Sequence, residues 1–191
     1  MKKIFIISAI LSIIFIALFF FFPNSQTLLS FSGIKFLAGE FYRLITFSFV
    51  HVNLLHLAEN IIALSLITLL GYEFGLKGKK FLLYFLLVSI TIALASAFFV
   101  PALVIAGASL GIYGVLGALS IKGSNFIPKN ILIPIFIISI FYKVILDLFS
   151  SQEITNLDQT LFHLSGFFTG LVFFILPRFK KKKHILLNKN G

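Results

Sequence analysis

Apolar and polar positions follow one another along this chain in long blocks rather than residue by residue. Ile4–Phe22 is an apolar run of 19 residues, broken only by Ser8 and Ser12, behind Met1-Lys2-Lys3. Blocks of similar character recur at about 53–72, 81–100, 109–121, 131–149 and 161–176. A helix that crosses a bilayer needs roughly 20 apolar residues, so the pattern predicts an all-α membrane protein of six spans, each separated from the next by a polar or glycine-rich turn. The fourth block is short, and Gly111, Gly114 and Gly117 within it predict a helix buried among its neighbours. A basic start before a greasy core also describes a signal peptide. The run is longer than a usual signal core, however, and Pro23-Asn24-Ser25-Gln26 offers no small-residue cleavage site, so a retained span is expected. Residues 23–50 mix Leu28, Leu29, Phe31, Ile34, Phe36 and Leu37 with Glu40 and Arg43. That is too hydrophobic for a solvated linker and predicts a segment lying in the membrane interface. With no internal repeat, residues 1–191 read as one membrane domain whose last stretch, 177–191, is a basic tail.

Charge supplies the orientation. Lys2 and Lys3, then Lys77, Lys79 and Lys80, then Lys122 and Lys129, then Arg178 with Lys180 to Lys183 fall on alternate connections. The intervening ones hold Lys35, Glu40 and Arg43, then no charge around Pro101, then Glu153 and Asp158. Six spans with both termini in the cytoplasm satisfy the positive-inside rule, and put the start of the fourth span on the non-cytoplasmic side. Composition agrees: 59% of residues are hydrophobic, 26 are Phe and mean hydropathy is +1.09, more apolar surface than a soluble domain can hide. The net charge of +10 therefore belongs to the turns and does not imply nucleic acid as a partner. There is no Cys, hence no thiolate metal site or disulfide framework, and neither a metal nor a cofactor is expected.

Polar side chains inside the apolar blocks are candidates for function. His51-Val-Asn-Leu-Leu-His56-Leu-Ala-Glu-Asn60 opens the second span, with His56 and Asn60 four apart on one helix face. Ser109 opens the fourth, followed by Tyr113 and Gly117 on the same face. His163, Gly166 and Gly170 share a face of the last, and Gly-x-x-x-Gly permits close approach of another helix. Each set has a plain packing explanation, since polar residues bond helix to helix and small ones make seams. A His on such a seam still needs a hydrogen-bond partner, and a Ser on a facing glycine-rich helix is an economical one. Lys143 and Asp147, four apart in the fifth span, read as a mutually satisfied structural pair. Glu59 has no such account.

Joined, these places supply what acyl transfer needs: a nucleophile in Ser109, a base in His163, and N–H donors for a developing oxyanion in His56 and Asn60. Asp158 is placed in a loop, so a Ser–His dyad is expected rather than a triad. From about Gly39 to Gly170 the chain resembles the rhomboid-family intramembrane serine proteases of the basic six-helix form. Gly39-Glu-Phe-Tyr-Arg43 is similar to the family's first-loop aromatic-Arg motif, and His51, His56 and Asn60 to its second-helix signature. Ala108-Ser109 after Gly107 matches the nucleophile motif, with Tyr113 and Gly117 at family spacing; His163, Gly166 and Gly170 match the last helix. The resemblance implies that Ser109 attacks the scissile carbonyl and that His163 acts as base and then acid. His56, Asn60 and the Ser109 amide would cradle the oxyanion, His51 would be structural, and Tyr113 would pack on the His163 ring. It further implies transmembrane protein substrates cut near their non-cytoplasmic ends, while the small size and lack of extra domains point to a multi-pass protein of a prokaryotic cell (inner) membrane. Two positions depart from the pattern: Leu110 stands where a small residue follows the nucleophile, and Phe162 where Ala precedes the base. Their bulk is expected to spread the two helices, with Gly111 offsetting it one position later. A non-catalytic rhomboid-like protein that binds transmembrane clients is the alternative. A small channel or transporter fits less well, because the polar residues gather at one end of three spans instead of tracing a path across.

Overall fold

The computed structural model describes residues 2–142, 145 and 157–187, with the backbone alone for Leu157 and 177–187. Lys143, Asp147 and Glu153 lie outside the described residues. The first span is α1, Lys3–Phe21, whose buried residues Ile4, Ser8, Leu11 and Phe15 step by four, three and four along one stripe. Its other faces expose Ile6, Ile10, Ile13 and Phe20, as a helix facing lipid does.

The 23–50 connection folds into short pieces: α2 (Ser25–Leu29), β1 (Phe31–Ser32), α3 (Gly33–Leu37), α4 (Arg43–Thr46) and a 3₁₀ turn at Phe47–Phe49. Arg43 ties them together. Its Nε donates to Glu40 Oε2 at 2.6 Å, and its Nη1 to the carbonyls of Ser30 at 2.7 Å and Thr27 at 3.1 Å. β1 pairs antiparallel with β2, Val104–Ile105, with Phe31 opposite Ile105. Leu28, Ile34, Leu37 and Phe41 stay exposed, which leaves apolar surface on the outside of this connection.

Helix α5, Leu54–Glu73, begins at Asn53, whose side-chain oxygen accepts the His56 N–H at 2.8 Å and so caps the helix. α6 spans Gly78–Phe99 and stops before Pro101. It starts three residues earlier than the sequence pattern places it, because Lys79 and Lys80, good helix formers that stay exposed, extend the first turn. α7, Ser109–Lys122, is buried at every position from Leu110 to Ile121 except Tyr113. At 1.5 Å per residue its 14 residues cover about 21 Å, short of the roughly 30 Å of hydrocarbon. α8 covers Lys129–Ile140, the first part of the fifth block. The last helix, α9, runs Leu157–Leu187; it takes in Asp158, expected in a loop, and carries the backbone through most of the predicted tail. An acid is favoured in a first helical turn, and Lys and Arg are good helix formers.

Among the described residues, four helices can cross a membrane by length and composition: α1, α5, α6 and, within α9, Asp158–Leu176. The two-residue strands are the exception to an otherwise helical fold.

Candidate active site

Ser109 is the first residue of α7, and the chain before it is held in place by a glycine. Gly107 has φ +111°, and its N–H donates to the Phe47 carbonyl at 2.9 Å. A Cβ there would stand 2.6 Å from Cε1 of His56, so Gly107 lets the imidazole lie against the loop that delivers the serine. As the opening residue of a helix, Ser109 has an N–H with no carbonyl inside the helix, beside the positive end of the macrodipole.

Tyr113, one turn further along α7, stacks on the His163 ring of α9 with centroids 4.3 Å apart and planes 29° apart. This fixes the imidazole over the face of α7 that carries Ser109. The two helices meet backbone to backbone below it. A Cβ on Gly166 would lie 3.0 Å from the Leu110 carbonyl, one on Gly170 would run into the Gly114 carbonyl, and one on Gly117 into the Phe167 carbonyl. Leu110 and Phe162 therefore do not spread α7 from α9. The Leu110 side chain, 2% exposed, turns into a cluster with Phe31, Phe47 and Val88, and Phe162 packs against the same cluster. Gly111 meets Phe85 of α6, so it serves that contact and offsets nothing between α7 and α9.

His51 sits buried in the turn before α5, with its ring 5.0 Å from Phe15 and 5.3 Å from His56. Burial first, and the neighbouring His56 second, push it down to about 4, which keeps it neutral. Asn60 donates its Nδ2 to the His56 carbonyl at 2.8 Å, leaving one N–H of that amide for another acceptor. Arg43 does its work away from the cavities, in the 23–50 connection.

Two cavities flank these groups. One, of about 730 Å³, lies between α5, α7 and α8, and its walls include His56, Asn60, Ser109, Tyr113 and His163 beside aliphatic residues such as Leu66, Leu70 and Ile135. The other, of about 590 Å³, is bounded by Gln26, Asn53, residues 103–106 and the start of α9. Of the sequence candidates, Ser109, Tyr113, His163, His56 and Asn60 thus come together at one cavity, Gly107, Gly117, Gly166 and Gly170 shape the packing around it, and His51 supports it from behind. Sequence reasoning passed over Gln159 and Tyr142, which also line it. Gln159 was findable as the residue one turn before His163; Tyr142, whose hydroxyl donates to Glu59 at 3.3 Å, carries no local signal.

A buried short helix that starts with a serine is packed on a helix whose histidine is stacked by a tyrosine, and the long apolar helices around them fit a multi-pass integral membrane protein. The rhomboid domain family matches residues 38–178, and the chain belongs to the rhomboid family. Over 154 residues it is 32% identical to the rhomboid protease GluP of Bacillus subtilis (strain 168), a match covering 77% of this chain and 29% of that protein. The chain therefore spans less than a third of the length of that relative.

Proposed function

We propose that this chain is an intramembrane serine endopeptidase that hydrolyses transmembrane proteins through a Ser109–His163 dyad. The observation that carries the proposal is the seating of Ser109 and the Tyr113-stacked His163 on two helices in backbone contact, both facing one cavity. His163 removes the Ser109 proton as Oγ attacks the scissile carbonyl, then returns it to the leaving amine. The oxyanion is met by the Ser109 amide, the His56 ring and the remaining Asn60 N–H. Tyr113 and His51 hold the two imidazoles, while Gly107, Gly117, Gly166 and Gly170 allow the approach and Arg43 braces the first connection.

The apolar cavity between α5 and α8 suits entry of a substrate span, and the second cavity suits entry of water. Six spans with both termini in the cytoplasm, forming one domain over 1–191 with a basic tail at 177–191, place Ser109 toward the non-cytoplasmic face. The bacterial relative supports a prokaryotic inner membrane as the location. No cofactor or nucleic acid enters this scheme. A client-binding protein without catalysis draws no support from Leu110 or Phe162, since neither bars the approach of α7 and α9.

Purified protein reconstituted in lipid with a single-span test substrate decides the matter. Ser109→Ala and His163→Ala are each expected to lower cleavage by at least about 1,000-fold. Unchanged cleavage in both would refute the assignment.

A further inference from the structure

The two cavities share five wall residues: His56, Glu59, Ser109, Gln159 and His163. Ser109, His163 and His56 have roles in the hydrolysis proposed above, and the Glu59 carboxylate accepts the Tyr142 hydroxyl. Gln159 is the one left without a role. It lies four residues before His163 on α9, so the two side chains share a helix face about one turn apart. Its primary amide offers two donors and an acceptor oxygen, and its side chain makes no hydrogen bond among the described residues.

A serine hydrolase needs water twice-placed: admitted to the site, then aimed at the acyl carbon beside the base. The cavity of about 590 Å³ carries Gln26, Asn53 and Asp158 on its walls and has room for several waters of about 30 Å³ each. Gln159 lines both cavities, together with both members of the proposed dyad.

We infer that Gln159 orients the water that hydrolyses the acyl-enzyme, an inference that rests on the Ser–His reading. After the amine has left, Ser109 Oγ carries the N-terminal part of the substrate as an ester. The water donates one proton to the Gln159 side-chain oxygen as a hydrogen bond and presents the other to the His163 nitrogen that serves as base. Its oxygen bonds to the acyl carbon as that second proton moves to His163. The bond from carbon to Oγ then breaks, the proton passes from His163 to Oγ, and the fragment leaves as a carboxylic acid. Gln159 is a positioning residue here: the attack of Ser109 on substrate proceeds without it, and its amide is required when water is the nucleophile.

The test uses the full chain with Gln159→Leu, which keeps bulk and removes both polar ends, and Gln159→Glu, which keeps an acceptor. Time courses with a single-span peptide are quenched in acid, and intact mass spectrometry reads the ester on Ser109. Gln159→Leu is expected to accumulate that ester, to turn over about 10-fold more slowly, and to regain speed when hydroxylamine, a stronger nucleophile than water, is added. Gln159→Glu is expected to hold less ester than Gln159→Leu and turn over faster. The rate of labelling by a fluorophosphonate reports attack by Ser109 alone and so separates a deacylation defect from a damaged fold. Labelling slowed in proportion to turnover, or slower turnover with no ester and a raised KM, overturns the inference. Wild-type cleavage with an unaltered Gln159→Leu time course removes this inference alone. Wild-type protein that yields neither products nor a fluorophosphonate adduct removes the protease reading, and this inference with it.

Discussion

Leu110 follows Ser109, and its bulk looked like an obstacle until its direction was known. It is buried in the cluster of Phe31, Phe47 and Val88, so its side chain holds the loops to α6 and leaves the α7–α9 seam to its backbone. Leu110→Gly is expected to leave kcat no higher than wild type and to lower stability by about 2–5 kcal/mol, the cost of a large-to-small change in a packed core; unfolding in mixed detergent micelles measures it. Gly107→Ala is expected to be worse for activity than for stability, because a methyl at φ +111° meets the His56 ring. Steady-state cleavage and fluorophosphonate labelling should both fall about 10-fold or more. At this scale Ser109, His56, Asn60 and His163 could be found in the sequence because polar groups in apolar blocks stand out. The direction of Leu110 could not, since its partners lie on segments that are distant in the chain.

The seam between α7 and α9 was foreseen as facing stripes of glycines, but the share of the α7 glycines that turns to α6 was not. Three residues turn a helix by about 300°, so glycines at steps of three drift by about 60° each time. Gly111 and Gly114 accordingly present to Phe85 and Val88 of α6, while Gly117 has come round to Phe167 of α9. That drift was calculable from spacing alone; which helix would stand at each bearing was not. Gly170→Val places a side chain against the Gly114 carbonyl and should force the helices apart. Cleavage is expected to drop by about 100-fold, whereas the exposed Phe168→Val on the same helix should change it less than about 3-fold, both read as kcat/KM. Helix ends were less visible than helix existence: α9 begins at Leu157, because a first-turn acid and a loop acid look alike in a sequence.

For the molecule as a whole, membrane residence was the plainest message of the chain, because hydropathy at this level leaves no soluble packing open. Orientation is a question of charge counting, and the absence of Cys makes it directly measurable. Single-cysteine variants at Ala102 and Ser124 in sealed vesicles should label from opposite sides with an impermeant maleimide. Acid sensitivity also belongs here. His51 is held near 4 in the fold against an ordinary 6.5, so the unfolded chain takes up its proton first as pH falls. Stability is therefore fully present above about 6.5, declines between 6.5 and 4, and levels off below, by about 3 kcal/mol from this residue. His51→Phe should flatten that part of the stability curve, measured by unfolding across pH. One more consequence concerns biogenesis. α7 is too short to span on its own and hides almost every side chain from lipid, so it has no stable place in the bilayer as a separate helix. The walls that receive it are α6, made before it, and α9, made after it, so Ser109 and His163 come together only once α9 has left the ribosome. A nascent chain halted before α9 would hold its serine in an unfinished groove, inert toward the proteins being inserted beside it.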